Sequence, residues 1–422
     1  MATVFKTFLN DDIATTRTLL HEAIPIHGGI VFGVYNEDDP EQTNIKDYPH
    51  KMFQSVYDYP YLSSSANHIF DLTVGLTEAS DLLSPDDISA AKKQRIYQQM
   101  AQVLVGHDAV GNILKFDEDG NILEGGDKFD EVYIISAARL LNKDEIKKGS
   151  CFTQLDVGRE PAADGDAQRS VLYISDEGSA NDYRVNSPAG DYGILRCRSH
   201  QVLEADADGN LTVPVAGGQY DYEASAEADG IDARCGLIYY QAGVVVLSPY
   251  IFEKNHPTYY PDGKLPVIDL AGTGADANDE MPIMYTDDDM LTHFVSDLKQ
   301  DDGAGGISTT DASIFRLQDI PTNCTGLRRR MNRLAFNNTT ELNSTIYFCR
   351  INHNDFNYSS NPTYLDESKI RVKESTEDAP VSYISTVGLY SADNELLAVA
   401  KLSEVLRKDP TNEMVLRVRL DY

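Results

Sequence analysis

The sequence lacks tryptophan, and it lacks any apolar run long enough to span a membrane. Its most apolar segment, residues 236–248, is shorter than the roughly 20 residues that a transmembrane helix needs. The first residues carry no apolar stretch of the kind found in signal peptides, so we expect neither a leader nor a membrane partner. Cysteines are few, and none forms a Cys-x-x-Cys pair: they are Cys151, Cys197, Cys235, Cys324 and Cys349. An odd number of scattered cysteines favours reduced thiols in a cytosolic folding environment over a disulfide framework.

The local signatures of catalysis are missing as well. The sequence contains no Gly-x-Ser-x-Gly elbow, no phosphate-binding loop, no His-Glu-x-x-His and no dinucleotide-binding glycine fingerprint. Its nine histidines show no metal-ligand spacing. The acidic segment from Asp117 places Gly120 fourth, whereas a calcium-binding loop needs its glycine sixth, so the segment favours a hairpin turn. We therefore expect no enzyme, no cofactor and no bound metal, although a pair of glycan-cleaving carboxylates cannot be singled out among so many acidic residues.

Acidic residues greatly outnumber basic ones. The chain has 67 Asp and Glu against 36 Lys and Arg, which gives a formal net charge of -31. Such an excess repels a phosphate backbone, because nucleic-acid binding relies on Lys and Arg displacing counterions. Nucleic acid is therefore not expected as a main partner. The acidity favours solubility, and the alternative is an acidic face that docks onto a basic partner.

A chain of 422 residues exceeds the size at which one hydrophobic core usually stops growing, so we expect two or three packed units. Changes of composition along the chain divide it into three predicted domains. Residues 1–150 form a mixed α/β N-terminal domain, residues 151–272 a β-rich middle domain, and residues 273–422 a C-terminal domain that ends in a β-meander. The predicted fold class is α+β to mainly β, with antiparallel sheets and a few short helices.

Capping signals and apolar periodicity predict the helices. Ser84, Pro85 and two aspartates predict the start of a helix that continues over residues 88–104. Shorter helices are predicted over residues 11–23, and from Asn142 where a capping-box pattern occurs. Residues 28–35 instead alternate apolar and other side chains, which predicts a half-buried strand.

Strand patterns dominate the rest of the chain. Glycine and aspartate punctuate short apolar runs over residues 151–248, and the apolar residues 236–248 predict a core strand or strand pair. Near the C-terminus, residues 383–390, 396–402 and 414–420 alternate in three consecutive runs, which predicts an antiparallel meander. One side of that sheet must be covered by another element or another subunit.

Two groups of residues are candidates for a protein interface. A basic island interrupts the acidic chain, and arginine is enriched at interfaces, although most exposed charge runs are merely solvated. Tyrosines and apolar residues of the predicted meander suit large contact surfaces, although core packing explains many tyrosines equally well. The candidates are Arg328, Arg329, Arg330, Arg333, Tyr383, Tyr390, Leu416, Val418 and Leu420.

The terminal segment Tyr383-Ile-Ser-Thr-Val-Gly-Leu-Tyr390, with Leu396-Leu-Ala-Val-Ala400 after a turn, resembles a hairpin of virion proteins from contractile-tailed phages. These include tail-fibre collar and baseplate-associated families. The segments at residues 52–60 and 357–362 are similar to structural proteins of T4-like phages of marine cyanobacteria. The resemblance supplies no functional residues to carry over.

The resemblance implies a structural protein of the virion, assembled in the host cytoplasm, whose partners are other phage structural proteins and copies of itself. It favours a baseplate wedge or tail-proximal position, with a neck or head-associated position as the alternative. Two rival functions remain open. A virion-borne glycan hydrolase predicts a deep acid-lined cleft, and a host-binding adhesin predicts an exposed aromatic patch at a tip.

Overall fold

The computed structural model describes residues 5–32, 43–80, 83, 89–121, 128–160, 168–205, 211–222, 233–252, 299–301, 307–312, 319–359, 365–366, 369–370, 375, 377 and 379–422. Within these ranges the chain is mainly antiparallel β-sheet with a few short helices, so the predicted fold class is confirmed.

The strands are numbered in chain order. They are β1 Ile13–His27, β2 Ile45–Asp47, β3 Gln54–Tyr57, β4 His68–Leu76, β5 Glu131–Ala137, β6 Glu145–Ile146, β7 Phe152–Glu160, β8 Gln168–Ser175, β9 Arg184–Ser187, β10 Gly190–Ala205, β11 Leu211–Asp221, β12 Arg234–Tyr239, β13 Val244–Leu247, β14 Lys299–Asp301, β15 Ile307–Ala312, β16 Met331–Ile351, β17 Leu365–Asp366, β18 Lys369–Ile370, β19 Ser382–Tyr390, β20 Leu396–Lys408 and β21 Met414–Asp421. The α-helices are α1 Gly28–Phe32, α2 Ala90–Leu104, α3 Arg139–Asn142 and α4 Ile320–Arg330, and two 3-10 helices span Asn10–Asp12 and Pro249–Phe252.

The chain divides into two compact units. The larger unit is His21–Thr340, and the smaller unit combines Met1–Leu20 with Glu341–Tyr422. This division differs from the three consecutive domains that composition predicts. The predicted boundary at residue 150 cuts through one sheet, because β5, before it, pairs with β13, after it. Composition changes along the chain, but hydrogen bonding between distant strands decides which segments fold together.

The larger unit is built around a long antiparallel sheet. Its strands follow the order β16-β7-β8-β10-β12-β13-β5-β4-β3-β2, with β6, β9 and β11 paired at its sides. The most apolar segment of the sequence forms β12 and β13, and the turn between them places Gly243 at φ 67°. The predicted core strand pair is therefore confirmed. Almost every side chain of these two strands is buried, as expected for strands at the centre of a covered sheet.

Helix α2 packs against β4 at a glycine. A Cβ atom on Gly75 would lie 3.0 Å from the Tyr97 Cα, so only glycine allows this approach. The Tyr97 hydroxyl donates to the Phe129 carbonyl at 2.6 Å and accepts from the Phe116 amide at 3.1 Å. The helix predicted over residues 88–104 is confirmed from Ala90 onward, whereas its predicted start, Ser84 to Ile88, lies outside the described residues.

Three local predictions are wrong. Residues 11–23 were predicted to be helical, but most of them belong to β1, whose side chains are almost all exposed. Residues 28–35 were predicted to be a strand, and their first part forms α1. The short helix predicted to start at Asn142 instead ends there, and Glu145–Ile146 forms β6. The pairing of β6 with the long strand β16 overrides the local capping signal.

The smaller unit contains three terminal strands. Strands β19 and β20 form a two-stranded antiparallel hairpin. Strand β21 does not join them within the described residues and instead pairs with β16 over eight positions, from Ile351↔Met414 to Ser344↔Asp421. All three predicted C-terminal runs are thus strands, and the last one is tied down by a strand that lies about 70 positions earlier in the sequence.

Candidate functional site

Large hydrophobic side chains are exposed mainly in the smaller unit. Among the described residues, 24 large hydrophobic side chains are exposed, and 16 of them belong to this unit, although it is about a quarter of the chain. They are Phe5, Phe8, Leu9, Ile13, Leu19, Leu20, Phe356, Tyr358, Tyr383, Tyr390, Leu396, Leu397, Val399, Val405, Val415 and Tyr422. We call this set the apolar surface. Scattered exposed hydrophobics are normal, so the concentration of these side chains in one unit is the feature that needs an explanation.

The smaller unit also has very little core of its own. Of 54 buried hydrophobic residues in the described chain, only Ile346, Ile351, Leu389 and Val418 lie in it. None of these four belongs to the large core cluster, which consists entirely of residues from the larger unit. A unit with many exposed and few buried apolar side chains is typical of a surface that is completed by a partner.

The hairpin of β19 and β20 positions both candidate tyrosines. Tyr383 opposes Arg407 near the open end, and Tyr390 opposes Leu396 next to the turn. Both tyrosine side chains are about half exposed, at 55% and 45%. Tyr390 makes an edge-on ring contact with Phe5 at 4.9 Å between ring centroids. The candidate tyrosines therefore lie in the exposed surface, as the sequence predicts.

The covered face of the hairpin changes along its length. Alternation alone predicts one continuous apolar face through Ile384, Thr386, Gly388 and Tyr390. Near the open end Ser382 is buried on that face, but near the turn the buried residue is Leu389 on the opposite face. The switch coincides with an irregularity between Ile384 and Thr386, where β20 carries extra residues. Such a bulge twists a strand and redirects its side chains, and the sequence alone does not reveal it.

A buried lysine closes the open end of the hairpin. Lys408 is fully buried, and its ammonium group donates to the carbonyls of His353 and Asp409 at 3.0 and 2.8 Å. It also donates to Asn357 Oδ1 at 2.7 Å. Three acceptors match the three protons of an ammonium group, so the buried charge is fully hydrogen-bonded. This contact fixes the end of β20 to the loop after β16.

The three apolar candidates of β21 face inward. Leu416 and Leu420 are half-buried and Val418 is buried, while the residues between them are exposed. Val418 opposes Tyr347, whose ring lies 5.4 Å from that of Phe8. These residues help to hold the smaller unit together, so the structure does not support them as an exposed interface. The outward face of the same strand carries Arg417 instead.

The basic island is not a continuous exposed patch. Arg328 is buried in the larger unit and donates to Gln54 Oε1 at 3.0 Å, to the Val31 carbonyl at 2.7 Å and to Thr325 Oγ1 at 3.2 Å. The prediction of a subunit-facing arginine is therefore wrong at this position. The guanidinium donates to groups that approach from distant parts of the sequence, which local charge patterning does not detect.

The other arginines of the basic island differ in their exposure. Arg330 is also buried, with its guanidinium 5.0 Å from the centre of the Phe252 ring, so the predicted exposure is wrong there too. Arg333 is exposed and lies 5.9 Å from the Phe152 ring centre. The side chain of Arg329 lies outside the described residues. Among the arginines of the island whose side chains the structure describes, only Arg333 remains a candidate for contact with another molecule.

Sequence reasoning missed part of the apolar surface. Leu396, Leu397 and Val399 are all more than half exposed. The alternating pattern of residues 396–402 predicts that about half of these side chains turn inward. The irregularity between Leu389 and Tyr390 shifts the pairing beside the turn and exposes adjacent residues. The sequence feature that could have indicated their exposure is the high density of apolar residues immediately after a turn, and not the period at which they recur.

The buried ionisable groups of the larger unit are structural. Asp176 accepts from the amides of Gly149 and Cys151 at 2.8 Å each and from the Tyr240 hydroxyl at 2.9 Å. Burial raises the pKa of Asp176 despite these donors. Burial also lowers the pKa of His200 to about 4, so this side chain is neutral at pH 7. Asp176 ties together the chain segments that contain Gly149, Cys151 and Tyr240.

Two features bear on catalysis and metals. A cleft of about 390 Å³ in the larger unit is lined by Gln102, Val105, Gly106, His107, Leu114, Asn186 and Pro188, which include no carboxylate. At the acidic turn, Asp117 accepts from the Asp119 amide at 3.0 Å and pairs with Lys128. No cluster of three potential metal ligands occurs among the described residues. The turn thus uses its first carboxylate for an ion pair.

Comparisons with protein-family models, with curated proteins and with solved structures found no match. In the described part of the chain, no helix combines the length and apolarity needed to cross a bilayer.

Proposed function

We propose that the protein is a structural component of a tailed bacteriophage virion that acts through protein–protein interfaces. The favoured position is the baseplate wedge or a tail-proximal site. The observation that carries the proposal is the apolar surface of the smaller unit, whose described residues include 16 exposed large hydrophobic side chains and only four buried hydrophobic ones. An exposed surface of this kind suits a protein whose final environment is an assembly.

The position of the resemblance supports the same proposal. The segment that is similar to contractile-tailed phage proteins, from Tyr383 to Leu402, forms the hairpin and includes several residues of the apolar surface. The partners would be other phage structural proteins and copies of the same chain. A net charge of -31 supports neither nucleic acid nor an anionic membrane surface as a partner.

Locating the chain in purified particles tests the proposal. The experiment is mass spectrometry of particles of the virus that encodes it, purified by density gradient, followed by cryo-EM to place the chain. We expect a fixed copy number per particle and density in the baseplate or tail. Density in the neck or head would support the alternative position. Abundant protein in infected cells but none in intact particles would contradict the structural role.

One observation favours a host-binding role as a second candidate. Tyr48 stacks on the exposed His50 at 5.1 Å, and both contact Phe53, at the end of the sheet formed by β2 and β3. Tyr59, in the loop after β3, is 51% exposed. Exposed aromatic groups of this kind suit recognition of a host surface. Loss of host-cell binding by a Tyr59→Ala particle, with normal assembly, would support this candidate.

A further inference from the structure

Strand β19 presents an edge that lacks the usual protection. Among the described residues, its backbone pairs only with β20. An open edge offers unpaired N–H and C=O groups to any other strand, and natural proteins usually block it with lysine, proline or a covering segment. Residues 382–390 read Ser-Tyr-Ile-Ser-Thr-Val-Gly-Leu-Tyr and contain neither a charge nor a proline. This strand is therefore suited to pairing with a further strand.

The absence of charge extends beyond the strand. Residues 379–392 are 14 consecutive residues without a charged side chain, in a chain whose net charge is -31. The longer uncharged segment around β12 and β13 is buried. Two copies of so acidic a chain repel each other, so contact between them is least opposed where the charge is lowest. The edge of β19 meets this condition.

We propose that β19 pairs with β19 of a second copy of this chain, antiparallel across a two-fold axis. The two hairpins then form one four-stranded sheet in the order β20-β19-β19-β20. A two-fold contact uses the same surface on both copies, so the strand must be complementary to itself. With Thr386 at the centre, Ser382 faces Tyr390 and Ile384 faces Gly388, so on this face of the sheet large side chains lie against small ones.

The charges at the two ends of the hairpin differ. The turn carries Asp393 and Glu395, whereas the open end carries Arg407, whose guanidinium pairs with Asp409 at 3.6 Å. Antiparallel pairing brings the acidic turn of each copy towards the open end of the other hairpin. A parallel arrangement would instead place the two acidic turns together. An isolated two-stranded hairpin is only marginally stable in water, so extension to four strands also stabilises each copy.

The inference rests on the proposed function only in that copies of the chain are among its expected partners. Disulfide trapping tests it directly. Thr386→Cys is introduced together with Cys349→Ser, because the other four cysteines are buried. Opposed residues of antiparallel strands lie about 4.5 to 5.5 Å apart between Cα atoms, within reach of a disulfide. We expect oxidation of the full chain to give a covalent dimer.

Lys401→Cys in the same background is the matched control. Lys401 opposes Thr386 on β20 and is also exposed, but in the proposed dimer two such residues are separated by three strand spacings, or about 14 Å. We expect little or no cross-linking at this position. Equal or stronger cross-linking through Lys401→Cys would overturn the proposal.

A second measurement uses the native cysteines. Thr386→Lys places two like charges opposite each other on the axis, which should raise the dimer dissociation constant at least about tenfold in sedimentation experiments. Ser403→Lys, at an exposed position on β20 outside the apolar surface, should leave it nearly unchanged. A chain that is monomeric without either change would overturn the proposal. If Thr386→Lys neither alters association nor excludes the chain from particles, the pairing of β19 with itself is wrong, while the structural role stands. If the disulfide-trapped dimer forms but is absent from particles, the pairing stands and the structural role is wrong.

Discussion

The larger and smaller units differ in net charge and in how many hydrophobic side chains they bury. Of the 54 buried hydrophobic residues in the described chain, 50 lie in the larger unit. This unit carries 52 acidic against 25 basic residues, a net charge of -27. The smaller unit carries 15 acidic against 11 basic residues, a net charge of -4, and exposes most of the large hydrophobic side chains. The first has the composition of a soluble body, and the second that of an interface. A single average over the chain conceals this difference.

Removal of residues 411–422 should have the largest effect on solubility and stability. It tests most directly the contrast between the larger and the smaller unit. The deletion removes eight strand pairs between β21 and β16 and uncovers the inward side of β16 in the smaller unit. The inward position of Val418 favours an internal role, so we expect an insoluble chain, or a soluble one with rapid hydrogen exchange over residues 344–351. A truncated chain that is soluble, retains slow exchange and enters particles normally would contradict this expectation.

A pair of leucine substitutions sharpens the contrast between the units. Leu72 on β4 is fully buried and Leu397 is 68% exposed. Leu72→Ala should cost about 3 kcal/mol of unfolding free energy, since it removes core contacts and leaves a cavity. Leu397→Ala should change it by less than about 0.5 kcal/mol in the free chain, but should reduce incorporation into particles. Denaturant unfolding and particle composition are the two measurements, and similar unfolding costs for both would remove the distinction.

The divided basic island gives a second matched pair. Arg328→Ala leaves Gln54 and the Val31 carbonyl without their buried donor and should cost about 2 kcal/mol or more. Arg333→Ala, on an exposed side chain, should lie within about 0.5 kcal/mol of the native chain. Chemical denaturation of both variants makes the comparison. A stabilising effect or no effect of Arg328→Ala would show that its hydrogen bonds are not needed.

Acidification should produce the smallest of these effects on the free energy of unfolding. The effect should arise in the larger unit, which contains His200. The pKa of His200 is lowered to about 4 by burial, against an ordinary value of 6.5. Above pH 6.5 the group is neutral in both states; as the pH falls below 6.5, only the unfolded chain takes up the proton, so stability is lost until about pH 4. Between pH 6.5 and 5 this amounts to at most about 2 kcal/mol. His200→Phe should reduce the pH dependence over that interval, and an unchanged slope would exclude His200 as its source.

Prediction from the sequence succeeded where burial selects apolar residues. Buried residues of α2 such as Ile96, Ala101 and Leu104 recur at helical spacing, and the strand pair β12 and β13, buried on both faces, forms a nearly continuous apolar run. It failed for β1, because exposed side chains leave no period to recognise, and apolar residues such as Leu19 and Leu20 fitted a helical spacing by chance. The local sequence of Arg328 likewise carries no record of Gln54 or Val31, which approach it only in the folded chain.

The same limits apply to the candidate surface. Composition indicated Tyr383 and Tyr390 as interface candidates, and both side chains are about half exposed, although alternation placed them on opposite faces of the hairpin. The bulges in β20 and the pairing of β21 with β16 depend on long-range register. The interface candidates therefore omit Leu396, Leu397 and Val399 and include Val418, which is buried.

The smaller unit contains both the first and the last residues of the chain. It can therefore form only after the C-terminal residues have been synthesised. Asp12 pairs with Arg350, and Arg17 with Glu341, so the N-terminal segment finds these partners only after more than 300 further residues have been synthesised. At about 5 to 20 residues per second, the wait is on the order of half a minute. The larger unit can begin to fold on the ribosome in that time. We expect an assembly-competent surface only on chains whose synthesis has passed this point, so prematurely terminated chains would not compete for places in the particle.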